Sequence, residues 1–110
     1  PADALSATEE ASVDAFGRCG SVQEAAAARG LKPGTVFAHL VKAVGLGRLS
    51  AAEVAGLTRA QLSRIEEAMG SVRARGQSGL AAVHEALGGE FDFDVLRCVR
   101  AGLRRERSEG

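Results

Sequence analysis

Residues 21–40 read as two short helices meeting at a sharp corner, and the residue types leave little room for another arrangement. Ser21 suits a helix N-cap, and Glu24 three residues later predicts a capping box. Ala26 is small enough to let a second helix cross close by. Gly30 stands where the first helix must stop and reverse, a position that suits positive φ. Leu31 is placed to plug the corner. Pro33 is tolerated in the first turn of the next helix, because the N–H it lacks would go unbonded there anyway. Val36 and Leu40 then share one face and can pack back on Ala26. This is a helix-turn-helix pattern.

Helix signals recur along the rest of the chain, and strand signals are nearly absent. Ser6 with Glu9, Ser50 with Glu53 and Thr58 with Gln61 are predicted capping boxes. The first opens a helix to about Cys19, with Ala11, Val13 or Ala15, and Phe16 facing inward. The second helix runs to about Arg29. The third runs from about Pro33 to Val44 and is broken by Gly45 and Gly47. Ser50 opens one short turn. After Thr58, Leu62, Ile65, Met69 and Val72 recur at helical spacing. Residues 76–79 form a linker, and Leu80, Val83 and Leu87 mark a short helix. Asp92 can cap a last helix that buries Val95, Leu96, Val99 and Leu103, with Phe91 and Phe93 pointing in. The expected architecture is all-α, one domain of about five to six helices over residues 1–104, followed by a polar tail, 105–110, that frays. With no Trp or Tyr and four Phe, the core must be Ala, Leu and Val. Helices this short are marginal alone, so Leu31, Val36, Leu40, Leu62, Ile65, Met69, Leu87, Phe93, Leu96 and Val99 are expected to share one core.

The formal net charge is zero, which argues against a module held to nucleic acid by bulk charge. The charge is nonetheless segregated: −3 over residues 1–31, +4 over 32–64, −4 over 65–94 and +3 over 95–110. The second helix of the corner and its sequel are therefore basic, as is the last helix. There Arg97, Arg100 and Arg104 fall on one stripe, either a binding face or a solvated one with its cations near the C-terminal dipole.

Catalytic signals are poor. No Ser/His/Asp or Cys/His arrangement follows from the spacing, and no catalytic residue is assigned. Cys19 and Cys98 have no partner at metal spacing; they read as small apolar residues, with a disulfide as the alternative. Glu90, Asp92 and Asp94 lack the pattern of a calcium loop, and no metal or cofactor is expected. His84 shares a face with Leu80 and Leu87 and reads as half-buried. No apolar run approaches the ~20 residues that span a bilayer. An initial Pro reads as an excised piece of a longer chain.

A helix-turn-helix of this kind elsewhere lays its second helix in a DNA major groove, and also serves as a plain packing or docking unit. Bound in the usual way, Lys32, Gly34, Thr35, Ala38, His39 and Lys42 would be outward, and Arg48 follows just past the helix. The expected DNA-binding set is Lys32, Thr35, Ala38, His39, Lys42 and Arg48. Thr35 suits a phosphate or a base edge and the two Lys suit phosphates. His39 either reaches a phosphate or sits at the packing boundary. Gly34 and Ala38 are too small to hydrogen-bond bases, which predicts weak sequence specificity.

Ser21, Val22, Glu24, Ala26, Arg29, Thr35, Val36, His39 and Leu40, then residues 48–50 and 55–58, resemble the helix-turn-helix module near the C-terminus of RecQ-family ATP-dependent DNA helicases of the Werner type. Leu62, Ile65, Glu90, Phe91 and Phe93 match the layout that follows. The resemblance implies an accessory domain, itself not an enzyme, of a helicase in DNA repair or recombination. No Gly-x-x-x-x-Gly-Lys-Ser/Thr motif occurs, so the motor lies outside this chain. The implied partners are DNA and other repair proteins, with no membrane, for a monomer in the cytoplasm at the nucleoid. The alternatives are a protein-interaction module of such a helicase and a small bacterial helix-turn-helix transcription regulator.

Overall fold

Seven helices account for the described residues of the computed structural model, 4–109 with side chains placed to residue 106. They are α1 (Ala7–Cys19), α2 (Val22–Arg29), α3 (Pro33–Gly45), α4 (Ala51–Ala55), α5 (Arg59–Ala74), α6 (Leu80–Ala86) and α7 (Phe93–Glu109). No strand occurs among the described residues, so the chain is all-α, with more helices than the five to six expected. The capping boxes at Ser6, Ser50 and Thr58 are complete, each side chain accepting from the third helical N–H and receiving the return bond. At Ser21 only half the box forms: its hydroxyl accepts from the Glu24 N–H, and no return bond is made. Asp92 caps α7 by accepting from the Val95 N–H at 3.0 Å.

The layering follows from which helices touch. The first three pack on one another, with α3 also against α4 and α7. The last helix packs on α3, α4, α5 and α6, so it joins the N-terminal triplet to the α5–α6 pair. Small residues make the crossing close. Ala101 Cβ lies 4.0 Å from where a side chain on Gly45 would begin, and Val44 and Ala51 lie 3.5 and 3.6 Å from that point on Gly102. Gly45 is consequently helical, and the break comes at Gly47, in the left-handed region at φ 79°. A side chain at Gly47 would be strained by that φ and would meet Arg105 Nε at 2.9 Å.

The last helix runs on to Glu109, into the stretch expected as a polar tail after residue 104, and Arg105 there is half-buried. Residues 1–3 and Gly110, at the ends of the expected domain and tail, lie outside the described residues, as do the side chains of 107–109.

One core gathers Ala15, Phe16, Ala25, Ala26, Val36, Leu40, Val44, Ile65, Val72, Leu96 and Val99. The disagreements with the sequence reading are local. Leu31, Leu62, Met69 and Leu87 lie at the rim, partly buried against that core. Phe93 does not point in: it is 42% exposed at the start of α7, while Phe91 takes the inward place at 8%. In α1 Ala15 and Phe16 are buried as expected, and the third buried position is Ser12 rather than Ala11. Cys19 and Cys98 are free thiols, and burial pushes the Cys98 thiol up to about 11.

Leu40 is fully buried and Leu62 is not, so Leu40→Ala should cost about 2–5 kcal/mol and Leu62→Ala clearly less. Thermal melts followed by helical circular dichroism check the order.

Candidate nucleic-acid interface

The corner forms as its residues dictate. Gly30 takes φ 67° and ψ 30°, the left-handed conformation that ends α2. The Leu31 N–H bonds back to the Ala26 carbonyl at 3.0 Å, closing the turn. Ala25 and Ala26 are buried, which brings α3 close to α2. The large side chains of α3 are then drawn inward: Val36, Leu40 and Val44 are buried, and Phe37 and Val41 pack against the core.

What α3 leaves outward is a narrow strip of Lys32, Gly34, Thr35 and Ala38, with Lys42 at its far end. Lys32 is the N-cap but makes no capping bond, Pro33 has no N–H, and no acidic residue lies in the first turn. The helix start is therefore positive in dipole and in side chain.

The sequence-predicted residues separate into three groups on this surface. Lys32, Thr35 and Ala38 are exposed, and Lys32 and Thr35 have no side-chain partner among the described residues. Lys42 and Arg48 are exposed but tied to α1: Lys42 Nζ lies 3.0 Å from Glu9, and Arg48 Nη1 2.8 Å from Glu10. Such surface pairs are worth little, so both cations stay open to exchange for a phosphate. His39 sits at the packing boundary, half-buried, with Nδ1 2.7 Å from Ser12 Oγ.

Sequence reasoning missed that last arrangement. Arg29 Nη1 donates to Ser12 Oγ at 2.6 Å and to the Thr8 carbonyl at 2.8 Å; Nη2 donates to Thr8 Oγ1 at 3.2 Å. Guanidinium can only donate, so the Ser12 hydroxyl accepts from Arg29, and it shares a second hydrogen bond with His39 Nδ1. One buried hydroxyl thus links α1, α2 and α3.

Glu9 is the most heavily used acid on this side. The Ser6 backbone N–H, and after it the Lys42 ammonium, hold its carboxyl down to about 2. A broad groove follows the α3–α7 seam, with Lys42, Arg48 and Arg104 on its walls beside Glu10.

A family model described as a helix-turn-helix domain matches residues 8–100. Neither the curated proteins nor the solved structures include a match to the chain.

Two predictions come from this geometry. Ser12→Ala leaves Arg29 and His39 short of a partner and should cost about 1–3 kcal/mol, read as a lowered melting temperature. Because Glu9 is held below the ordinary carboxylate value of 4.5, its contribution is complete above about pH 4.5 and is lost as pH falls towards 2. The loss of melting temperature between pH 5 and pH 2.5 should therefore be smaller in Glu9→Gln than in the parent chain.

Proposed function

The chain belongs to this helix-turn-helix domain family, and on that premise we propose that it binds DNA through α3, gripping phosphates more than reading bases. The observation that carries the proposal is the outward strip of α3. An uncapped helix start with Lys32 beside it suits a phosphate. Thr35 is placed to bond a phosphate or a base edge, while Gly34 and Ala38 offer no hydrogen bond to read a base with. Lys42 and Arg48 extend the contact along the groove once a phosphate replaces Glu9 and Glu10 as their counterion. His39 contributes from the packing side, by holding α3 to α1 through Ser12.

For the wider context we propose an accessory domain of a RecQ-like helicase in repair or recombination, at work on the nucleoid. Its support is the residue pattern from Ser21 to Leu40 and its continuation at residues 48–50 and 55–58. Helicase motifs in the same gene would bear this out, and a gene without them would end it. Membership of the family fits a stand-alone transcription regulator equally; Thr35 is the side chain on the strip that such a reading has to rest on.

The test is a labelled duplex titrated across salt concentrations. Replacing Lys32 and Lys42 by Gln should weaken binding to every sequence alike and flatten the log–log salt slope by about 2, at close to one unit per lost phosphate contact. Unchanged affinity and slope would remove α3 from the account. A preference of roughly a thousandfold or more for one sequence would favour the regulator.

A further inference from the structure

The arginine stripe of α7 reaches the groove beside α3 only at Arg104, and its other side has a built surround. Arg73 of α5 and Arg100 and Arg104 of α7 border a groove of about 170 Å3 whose polar wall is completed by Gln77 and Ser78. No acidic side chain lines this groove, and none of the three arginines is ion-paired among the described residues. The guanidinium of Arg100 is held below its ordinary value, by burial first and then by Arg104 and Arg97. The positive charge here is unbalanced.

On the same stripe, seven residues before Arg100, stands Phe93, the one exposed large apolar side chain among the described residues. Its ring is stacked on His84, centroids 4.5 Å apart and planes 16° from parallel, yet it remains 42% exposed. The imidazole braces one side of the ring and the rest faces solvent. The acids near it are occupied: Asp92 caps α7, Asp94 pairs with Arg97 at 2.6 Å, and Glu90 holds Arg64 through two 2.7 Å bonds. From Phe93 to Arg104 the stripe spans about 16 Å of helix.

A flat ring in line with unpaired cations suits a polyanion that also carries exposed flat groups. A duplex hides its base faces, and an acidic peptide has none to offer. We propose that this stripe is a second nucleic-acid site, for single strands, with a base stacked on Phe93 and the following phosphates on Arg100, Arg104 and Arg73. Phe93, Arg100 and Arg73 lie apart from the α3 groove, and Arg104 stands between the two.

The test uses the whole chain and a fluorescein-labelled oligothymidylate of twenty nucleotides, read by anisotropy across salt. Phe93→Ala, an exposed change checked for folding by circular dichroism, should weaken binding about tenfold or more. Replacing Arg73 and Arg100 by Gln should flatten the salt slope by about 1.4, at roughly 0.7 per lost single-strand phosphate contact. Both variants leave the groove beside α3 intact and should bind duplex as the parent does, so a parent that binds oligothymidylate but no duplex would count against the α3 reading and not this one. The proposal is overturned if oligothymidylate fails to bind the parent at low salt, if either variant binds it unchanged, or if an abasic strand or polyglutamate competes as well as oligothymidylate.

Discussion

Everything in this fold hangs on how closely α3 and α7 approach. The two helices cross at Gly45, Ala101 and Gly102, where side chains are absent or a single methyl. Close approach lets Val44, Leu40, Leu96 and Val99 meet in one interior. Of the helices after α4, α7 is the one packed firmly on the corner; α5 and α6 reach the N-terminal triplet mainly through it. A bulky group at the crossing would therefore separate two half-domains, each with too little apolar surface to hold short helices unaided.

The polar joint at Ser12 has a different task. Apolar contact between α1, α2 and α3 is non-directional, and Ala25 and Ala26 offer few features to set register. A buried hydroxyl that must meet both Arg29 and His39 tolerates few offsets, because an unmet bond costs more than a met one gains. The joint accordingly sets where α3 lies on α1, and so which strip of α3 faces outward. The pairs from Glu9 to Lys42 and from Glu10 to Arg48 lie on the same side and add little strength, being exposed.

Much of this was legible in the sequence where a feature is local. Caps, the left-handed Gly30 and the apolar spacing of α3 and α5 depend on residues within one or two turns of each other, and the helices appear where those signals put them. What was illegible depends on distant neighbours. Ser12 is buried because α2 and α3 both land on that side of α1, and nothing within α1 announces it. Phe91 and Phe93 are chemically alike and two residues apart, and which one turns inward is decided by the position of α5 and α6. Gly45 looks like a helix breaker and is a contact surface instead. Of the six residues expected to face DNA, Lys32, Thr35 and Ala38 stand clear on the surface, Lys42 and Arg48 are shared with α1, and His39 is committed to the joint.

Zero net charge argues against a module held to nucleic acid by bulk charge, and it says nothing of how the charges are placed. Acids and bases are segregated along the chain, and among the described residues four acids are packed against bases. Glu9 and Glu10 face Lys42 and Arg48, Glu90 faces Arg64, and Asp94 faces Arg97. Among the cations outside those pairs are Lys32 at the start of α3 and the group of Arg73, Arg100 and Arg104. Field strength at a surface depends on such residues and not on the sum, since screening in salt limits each charge to about 8–10 Å. A neutral chain can in this way present separate positive surfaces, one at a helix start and one in a groove, and the seam between α3 and α7 is what brings them into one molecule.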